Sequence, residues 1–343
     1  MDNCDESSRS GSARIAVVIP CYRVADHVLD LIARIGSEVG WIIAVDDACP
    51  ERTGDLIENK CEDARVKVLR HTSNRGVGGA VMTGYEAART LPADVVVKLD
   101  GDGQMDPALI PALCAPLLNG RADYAKGNRF YRLRDVTAMP LTRLVGNATL
   151  SFITKLSSGY WQLFDPTNGY TAIQRRLLPE VDFSKVARRY FFESDLLYQL
   201  NQLRAVVVEM PMTSHYDGEP TSLRPLRMIG PFFWGNLRNS LKRVFYSYFL
   251  RGFSIASVEL LIGLALLLFG VGFGMRHWWL STMEGTPATA GTVMLAALPL
   301  ILGTQLSLSW LAFDIAAEPR LPIHALMVDH VETGSARRND SNC

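Results

Sequence analysis

Two long apolar runs near the C-terminus restrict the fold of this chain more than any other feature. Residues 252–275 contain a single charged residue, Glu259, and residues 288–313 contain none. A helix needs about 20 apolar residues to cross the hydrocarbon core of a bilayer, and both runs exceed that length. The alternative is a pair of buried core helices, which two such runs so close together disfavour. We therefore predict transmembrane helices over 252–275 and 288–313, followed by a tail over 314–343.

The segment that precedes the first run, residues 223–251, is rich in basic and aromatic residues and contains no acid. Its basic residues are Arg224, Arg227, Arg238, Lys242, Arg243 and Arg251, and its aromatic residues are Phe232, Phe233, Trp234, Phe245, Tyr246, Tyr248 and Phe249. Such a segment can bind nucleic acid, but beside an apolar run it is more typical of an interfacial helix on anionic lipid. The positive-inside rule then places the large N-terminal domain and the tail on the cytoplasmic face of the membrane.

The charge balance argues against nucleic acid as a partner. Lys and Arg together number 35, as do Asp and Glu, so the formal net charge is zero. Proteins that hold nucleic acid by bulk charge are strongly basic. The six cysteines form no Cys-x-x-Cys pair, which favours reduced thiols over a disulfide framework or a zinc site. Residues 1–13 are polar without an apolar core, so we interpret them as a disordered leader and not as a signal peptide.

Residues 14–222 alternate between segments typical of strands and segments typical of helices. The strand candidates are short and rich in Val and Ile, and they lie at 15–20, 41–46, 66–70, 95–100, 124–130 and 205–210. The helix candidates lie near 25–38, 51–63, 77–90 and 106–119. This alternation predicts a doubly wound α/β domain with right-handed crossovers. Because such sheets bind ligands at the carboxyl ends of their strands, the loops after the strands are the expected site.

The stretch KLDGDGQMDP, residues 98–107, follows one of these strands. Asp100 and Asp102 stand one residue apart on a turn that two glycines loosen, and Gln104 follows them. Carboxylate and amide oxygens are ligands for hard divalent cations. The stretch therefore predicts a site for Mg²⁺ or Mn²⁺ that would bridge a nucleotide diphosphate and neutralise it as a leaving group. The alternative is a solvated turn.

Three further loops carry candidate nucleotide contacts. Pro20 ends the first strand, and Tyr22 beyond it could stack on a base. Asp46 and Asp47 end the second strand, where a carboxylate could accept hydrogen bonds from a ribose or a base. Gly76 is the first glycine of the stretch SNRGVGGAV, and free N–H groups at a helix start favour an anion. Each loop taken singly is equally compatible with an ordinary turn at the end of a strand.

Together these loops resemble family 2 glycosyltransferases of the GT-A fold, over roughly residues 14–225. The resemblance lies in the order strand-Pro-x-Tyr, strand-Asp-Asp, Asn-x-Gly-x-Gly-x-Ala and strand-Asp-x-Asp. With its two apolar runs, the whole chain resembles more narrowly the polyprenyl-phosphate glycosyltransferases, which include dolichyl-phosphate mannose synthase and the bacterial glucosyl enzymes. Two stretches strengthen this resemblance, DPTNGYTAIQRRLL (165–178) and HYDGEPTSLRPL (215–226). The chain departs from the group at Ala48 and Cys49, where Gly-Ser is common, and at Pro220–Ser222, where the dolichyl enzymes have Glu-Ser-Lys.

The resemblance implies a metal-dependent, inverting transfer of a sugar from a nucleotide diphosphate to a polyprenyl phosphate. UDP-sugars are favoured as donors and GDP-sugars are the alternative. The nucleotide would contact Pro20, Tyr22, Asp46, Asp47, Gly76 and Asp100, the metal would contact Asp100, Asp102 and Gln104, and the acceptor phosphate would face Arg129, Arg143 and Arg224. Asp195 matches the position of the base in family members that use a hydroxyl acceptor, so a hydroxyl acceptor with Asp195 as base is the alternative reaction.

Other classes of protein remain as alternatives. The chain could be a non-catalytic membrane partner, although retention of Asp100, Asp102 and Gln104 argues against that. A pore or flippase is disfavoured because the two apolar runs offer almost no polar face. A processive polysaccharide synthase usually carries Gln-x-x-Arg-Trp, which this sequence lacks. Small residues in the first run permit close packing and hence a homo-oligomer, namely Gly263, Gly270, Gly272 and Gly274.

Overall fold

The computed structural model describes residues 15–131, 141–212 and 225–327, and for 141–145, 147 and 225–229 the backbone alone. The predicted leader 1–13, Arg224 and residues 328–343 of the predicted tail lie outside the described residues. The chain forms two compact units. One reaches to Asn239 and resumes at Pro319, and the other is Ser240–Glu318.

A seven-stranded sheet forms the centre of the first unit. Its strands are β1 (Ile15–Cys21), β2 (Val39–Asp46), β3 (Val66–Arg70), β4 (Val95–Lys98), β5 (Tyr124–Asn128), β6 (Thr171–Gln174) and β7 (Val207–Pro211). Their order is β3-β2-β1-β4-β6-β5-β7, and β6 runs antiparallel to β4 and β5 while the other neighbouring pairs are parallel. Six strands occupy segments predicted as strands. The prediction missed β6, because Thr171–Gln174 contains only two apolar residues, whereas β4, of equal length, begins with three valines.

Helices cover both faces of this sheet. They are α1 (Val28–Ala33), α2 (Thr53–Lys60), α3 (Val77–Ala88), α4 (Ile110–Leu118), α5 (Leu141–Ser158) and α6 (Phe192–Gln202). Alternate residues of a strand point to opposite faces, so Val17 and Val97 pack in one core cluster while Val18 and Val96 pack in the other. The prediction of an α/β domain is confirmed, although the sheet is mixed and not purely parallel.

The helix α7 (Pro225–Phe245) follows the second gap in the described chain. Its part up to Asn239 packs on the first unit: Ser157 Oγ donates to Asn236 Oδ1 at 2.5 Å, and the rings of Phe232 and Phe191 meet edge to face. The opposite side leaves Trp234 69% exposed. A helix with one packed side and an exposed aromatic side is consistent with the predicted interfacial segment.

The second unit is built on two helices that are long and apolar enough to cross a membrane, α8 (Ile255–Glu284) and α9 (Ala290–Ala316). The helix α8 continues past the predicted end at residue 275 and stops at Gly285, whose φ of +66° favours glycine. A Cβ at Gly303 would lie 2.8 Å from the Gly263 carbonyl oxygen, so α8 and α9 pack backbone to backbone.

Polar contacts also join segments of the second unit. Glu259 accepts a hydrogen bond from Ser309 Oγ at 3.0 Å, which gives the charged residue of the first apolar run a partner within the hairpin. Arg243 donates to both oxygens of Asp314, at 2.7 and 2.8 Å, and Tyr248 Oη donates to the same carboxylate. Asp314 is only 3% exposed. Buried charges need partners of this kind, and loss of one partner is strongly destabilising.

The chain returns to the first unit after the hairpin. The backbone N–H groups of Ile323 and His324 donate to the buried carboxylate of Asp123, at 3.0 and 2.9 Å. The N–H of Val206 donates to the same carboxylate at 2.7 Å, and Ile323 packs against the hydrophobic core. The segment from Pro319 is thus part of the α/β domain, which the sequence analysis did not predict.

Candidate active site

The Asp-x-Asp stretch lies at the carboxyl end of the sheet, directly after β4. The turn beyond Lys98 carries Asp100 and Asp102, with Gln104 exposed beside them. Gly103 adopts φ of +76°, a conformation that favours glycine, and Asp102 Oδ1 accepts a hydrogen bond from the Gln104 N–H at 3.1 Å. The predicted metal ligands therefore share one turn at the predicted edge of the sheet.

The composition of this turn limits how it could hold a metal ion. Among the described residues, no three His, Cys, Asp or Glu side chains lie close enough to hold an ion together. Asp100 Oδ1 is buried while 27% of the side chain is exposed, so Oδ2 is the oxygen that a ligand can reach. Mg²⁺ is usually held by one or two carboxylates together with substrate phosphates. The turn therefore fits an ion that binds together with a nucleotide diphosphate.

Lys98 and Glu193 extend this turn into the protein interior. Lys98 Nζ lies 2.9 Å from Asp100 Oδ1 and 3.3 Å from Glu193 Oε1, and the lysine is only 1% exposed. Burial by itself lowers the pKa of Lys98, but the Asp100 and Glu193 carboxylates outweigh it and raise the pKa above its usual range. The lysine is therefore a cation at neutral pH, enclosed between two acids.

Asp46 organises the turn at the end of β2. Its Oδ1 accepts a hydrogen bond from the Cys49 N–H, and its Oδ2 accepts one from the Gly54 N–H, both at 2.7 Å. Cys49 Sγ accepts from the Arg23 N–H at 3.0 Å, which ties the loop after β1 to the loop after β2. The residues that depart from the family's Gly-Ser are accommodated here, with Ala48 at φ of +53°.

Asp47 binds the start of α3. Its carboxylate accepts hydrogen bonds from the N–H groups of Arg75 and Gly76, at 2.8 and 2.7 Å, and lies 2.6 Å from His71 Nδ1. The anion at this helix N-terminus is therefore the protein's own carboxylate. The N–H of Gly76, predicted to face an anion, donates to Asp47, and contact of Gly76 with a nucleotide stays a prediction.

Tyr22 lies beside this pair of loops, where a base could reach it. Pro20 is in β1, and Tyr22 directly follows that strand with 42% of its surface exposed. The guanidinium of Arg23 lies 5.6 Å from the centre of the Tyr22 ring. The structure thus brings the predicted nucleotide contacts of the first two loops to one edge of the sheet, adjacent to β4 and its Asp-x-Asp turn.

Arg129 follows β5, two strands from the Asp-x-Asp turn. It forms a two-point ion pair with the buried Asp165, Nε to Oδ2 at 2.8 Å and Nη2 to Oδ1 at 3.0 Å. Glu209 Oε1 accepts from the N–H groups of Phe164 and Asp165, both at 2.7 Å. Burial raises the pKa of Glu209 above its usual range. This carboxylate fixes the loop that presents Asp165, and Asp165 in turn fixes the plane of the Arg129 guanidinium.

The other predicted phosphate contacts are less defined. Arg143 lies in the first turn of α5, where the structure describes the backbone alone. Arg224 lies outside the described residues. Roles for both residues stay predictions.

Asp195, the predicted base for a hydroxyl acceptor, is enclosed in the protein. It is 1% exposed, its Oδ2 accepts from the Ala187 N–H, and its Oδ1 accepts from Asn239 Nδ2, both at 2.8 Å. Both oxygens therefore bind groups of the first unit. The acid of α6 that faces the Asp-x-Asp turn is Glu193, two residues earlier.

No role was predicted from the sequence for Lys98, Asp165, Gly169, Glu193 and Glu209. Asp165 and Gly169 belong to the DPTNG stretch quoted for the resemblance, so a signal was present without an assigned role. Lys98 interrupts an apolar strand immediately before the Asp-x-Asp turn, which is the pattern of a buried charge with a partner. Glu193 stands two residues before Asp195 and could be noted as a second carboxylate there, but its role and that of Glu209 depend on contacts with residues distant in sequence.

Comparison with known proteins decides the family. The profile of "Glycosyl transferase family 2" matches residues 16–182. UDP-N-acetylglucosamine–dolichyl-phosphate N-acetylglucosaminyltransferase of Methanococcus voltae is 30% identical over 216 residues, covering 59% of this chain and 86% of that protein. The chain is a family 2 glycosyltransferase. Polyprenol monophosphomannose synthase of Mycolicibacterium smegmatis is 29% identical to this glycosyltransferase, covering 61% of this chain and 80% of that one.

Solved structures agree with the fold of this glycosyltransferase. Glucosyl-3-phosphoglycerate synthase from Mycobacterium tuberculosis, in complex with phosphoglyceric acid, aligns with a TM-score of 0.50 and 21% identity. The alignment covers 67% of this chain and 80% of that chain. Other crystals of that synthase contain Mn²⁺ or Mg²⁺ with UDP, at TM-scores of 0.48 and 0.47. At this level of identity the likeness shows the GT-A fold alone.

Proposed function

We propose that this glycosyltransferase transfers a sugar from a nucleotide diphosphate to the phosphate of a polyprenyl lipid. The proposal rests on the presence of three features in one chain. They are an Asp-x-Asp turn after β4, an arginine after β5 that an ion pair holds in place, and two apolar helices long enough to cross a membrane. Relatives named for dolichyl phosphate and polyprenol phosphate support the lipid acceptor. A donor carrying UDP is favoured, with GDP as the alternative.

The donor would lie over the carboxyl ends of β1, β2 and β4. Tyr22 offers an exposed aromatic face for the base, and the Asp-x-Asp turn offers carboxylate oxygens near the diphosphate. A divalent cation bound there with Asp100 and Asp102 would neutralise the leaving diphosphate. Asp46 and Asp47 shape the neighbouring loops through their bonds to backbone N–H groups.

The acceptor would approach from the β5 side. A phosphate monoester is largely dianionic at pH 7, because its second pKa lies near 6, so it attacks without a general base. The chain then has to position two anions and offset their repulsion. Arg129, held in plane by Asp165, suits this task, and in-line attack would invert the anomeric carbon. The enclosure of Asp195 supports a phosphate acceptor over a hydroxyl acceptor.

The test is a transfer assay on the full chain in detergent. Radiolabelled UDP-sugars and GDP-mannose are offered with undecaprenyl phosphate and Mn²⁺, and label is counted in the organic phase. We expect transfer from one donor that stops on chelation and falls at least about a hundredfold in Asp102→Asn. Asp106→Asn is the matched control in the same loop, because that carboxylate accepts from the Ala108 N–H and pairs with Arg34. Folded protein that transfers nothing from any donor would refute the proposal.

A further inference from the structure

Two buried lysines lie at one level of the sheet, beneath the Asp-x-Asp turn. The strand register pairs Lys98 with Thr171 of β6, and Thr171 with Lys126 of β5. Residues directly opposite one another on paired strands point to the same face of a sheet. Both lysines are at most 1% exposed, so neither can act as a surface group.

The two lysines have different partners. Lys126 Nζ donates to the backbone carbonyl of Asn168. Lys98 Nζ instead lies between two carboxylates, 2.9 Å from Asp100 Oδ1 and 3.3 Å from Glu193 Oε1. Lys98 therefore contacts a predicted ligand of the donor complex, and Lys126 provides the same side chain without that contact.

Packing fixes Lys98 in this place. A Cβ at Gly169 would lie 2.5 Å from Lys98 Nζ and closer still to Asp100 Oδ2, so this backbone closes the compartment from one side. Glu193, in the first turn of α6, closes it from another side and is 12% exposed. Asp100 Oδ1 is buried against the ammonium, which leaves Oδ2 as the accessible oxygen.

We propose that Lys98 and Glu193 are positioning residues that fix the Asp100 carboxylate with Oδ2 presented to the metal and diphosphate of the donor. The ammonium holds Oδ1, and Glu193 shares the ammonium so that Asp100 is not fully neutralised by it. Groups that orient a ligand in this manner typically change metal affinity by about 10- to 100-fold when removed. The proposal rests on the proposed function in one respect, that Asp100 belongs to the donor site.

A positioning role for Lys98 and a purely electrostatic effect of its charge predict opposite changes in metal affinity for Lys98→Met. Removing a cation near a bound metal ion would strengthen metal binding if charge alone mattered. Loss of orientation would weaken it, because Asp100 would face Glu193 without the ammonium between them. Glu193→Gln is the milder variant, nearly identical in shape, and frees the ammonium to neutralise Asp100.

The experiment measures Mn²⁺ binding by electron paramagnetic resonance in the presence of UDP, on the full chain in detergent and without turnover. We expect the Kd for Mn²⁺ to rise at least about tenfold in Lys98→Met and about three- to tenfold in Glu193→Gln. Lys126→Met is the matched control, because it removes a lysine of equal burial at the same level of the sheet, and its Kd should stay within about twofold of wild type. Thermal melts confirm that each variant is folded.

The outcomes separate this inference from the proposed function. Unchanged or tighter Mn²⁺ binding in Lys98→Met overturns the inference alone, provided that wild type binds Mn²⁺ and UDP. An equal loss in Lys126→Met also overturns it, since any buried lysine would then have the same effect. If Lys98→Met does not fold, an unchanged Kd in Glu193→Gln decides against the inference. Wild-type protein that binds neither Mn²⁺ nor UDP overturns both the inference and the donor site.

Discussion

Position 169 shows how closely the backbone approaches the charged groups of the site. Gly169 precedes β6, and a Cβ there would overlap Asp100 Oδ2 and Lys98 Nζ. An added Cβ would therefore force one or both of these paired groups, which lie 2.9 Å apart, to shift. The glycine of the DPTNG stretch is thus explained by close approach and not by a turn, which its conformation does not require.

We predict that Gly169→Ala abolishes most of the transferase activity, because the added methyl group displaces Asp100. The loss should reach at least about a hundredfold in kcat/KM, measured in the transfer assay. Gly146→Ala is the control, since a Cβ at that position meets nothing within 4 Å, and its activity should equal that of wild type. Wild-type rates in Gly169→Ala would show that the Asp100 carboxylate tolerates displacement.

We predict that the stability of the folded protein depends on pH through the buried Lys126. Burial lowers the pKa of Lys126 from its usual 10.5 to about 8. Below pH 8 the lysine is charged in the folded and unfolded states alike. The free-energy cost of burying its charge then lowers the stability of the folded state in full. Between pH 8 and 10.5 the folded state has lost the proton that the unfolded state keeps, so stability rises with pH through this window, by at most about 1.4 kcal/mol per pH unit.

The measurement compares melting temperatures of wild type and Lys126→Met between pH 7 and pH 10.5. Wild type should gain stability relative to the variant as the pH rises through the window, because Met does not titrate. A constant difference between the two melting temperatures across this range would contradict the assigned cause.

At the scale of elements, α3 depends on a carboxylate from another loop. Asp47 accepts hydrogen bonds from the backbone N–H groups of Arg75 and Gly76 and from Nδ1 of the His71 ring. We predict that Asp47→Asn lowers the free energy of unfolding by about 1–3 kcal/mol, because an amide cannot accept all three bonds and a partly buried donor is left unpaired. Thermal melts check this, with Asp55→Asn as the control, since Asp55 of α2 is half-buried and accepts from the exposed Arg70 side chain. Equal melting temperatures for the two variants would argue against the role of Asp47.

The limits of sequence reasoning are clearest at the element scale. Six strands and the Asp-x-Asp turn could be predicted, because apolar strands and the acidic turn after β4 are local patterns. The strand β6 could not, since its four residues owe their conformation to pairing with β4 and β5. Asp195 was predicted from the family resemblance, but the orientation of α6 turns Glu193 toward Lys98 and encloses Asp195. Such orientation depends on tertiary packing, which no local pattern reports.

At the scale of the whole molecule, the α/β domain is completed by residues from beyond the hairpin. Asp123 accepts from the N–H groups of Val206, Ile323 and His324, and it lies 2.7 Å from His324 Nδ1. We predict that Asp123→Ala lowers the melting temperature and the free energy of unfolding, the latter by about 1–3 kcal/mol, because three backbone donors, one buried and two partly buried, lose their acceptor.

The control for this prediction is Asp182→Ala, which removes an exposed carboxylate that caps a short turn at Ser184. Limited proteolysis adds a second readout, since Asp123→Ala should speed cleavage within residues 319–327. A melting temperature and a cleavage rate equal to those of Asp182→Ala would show that the returning segment is not held by Asp123.

The most direct test of the account is a paired acceptor measurement. Purified full-length protein receives the donor selected in the transfer assay, with Mn²⁺ and either undecaprenyl phosphate or undecaprenol at equal concentration. We predict label in the organic phase with the phosphate alone, in a product that mild acid cleaves to free sugar, because only the phosphate is an anionic nucleophile at neutral pH. Equal labelling of undecaprenol, or donor hydrolysis with no labelled lipid from the phosphate, would contradict it.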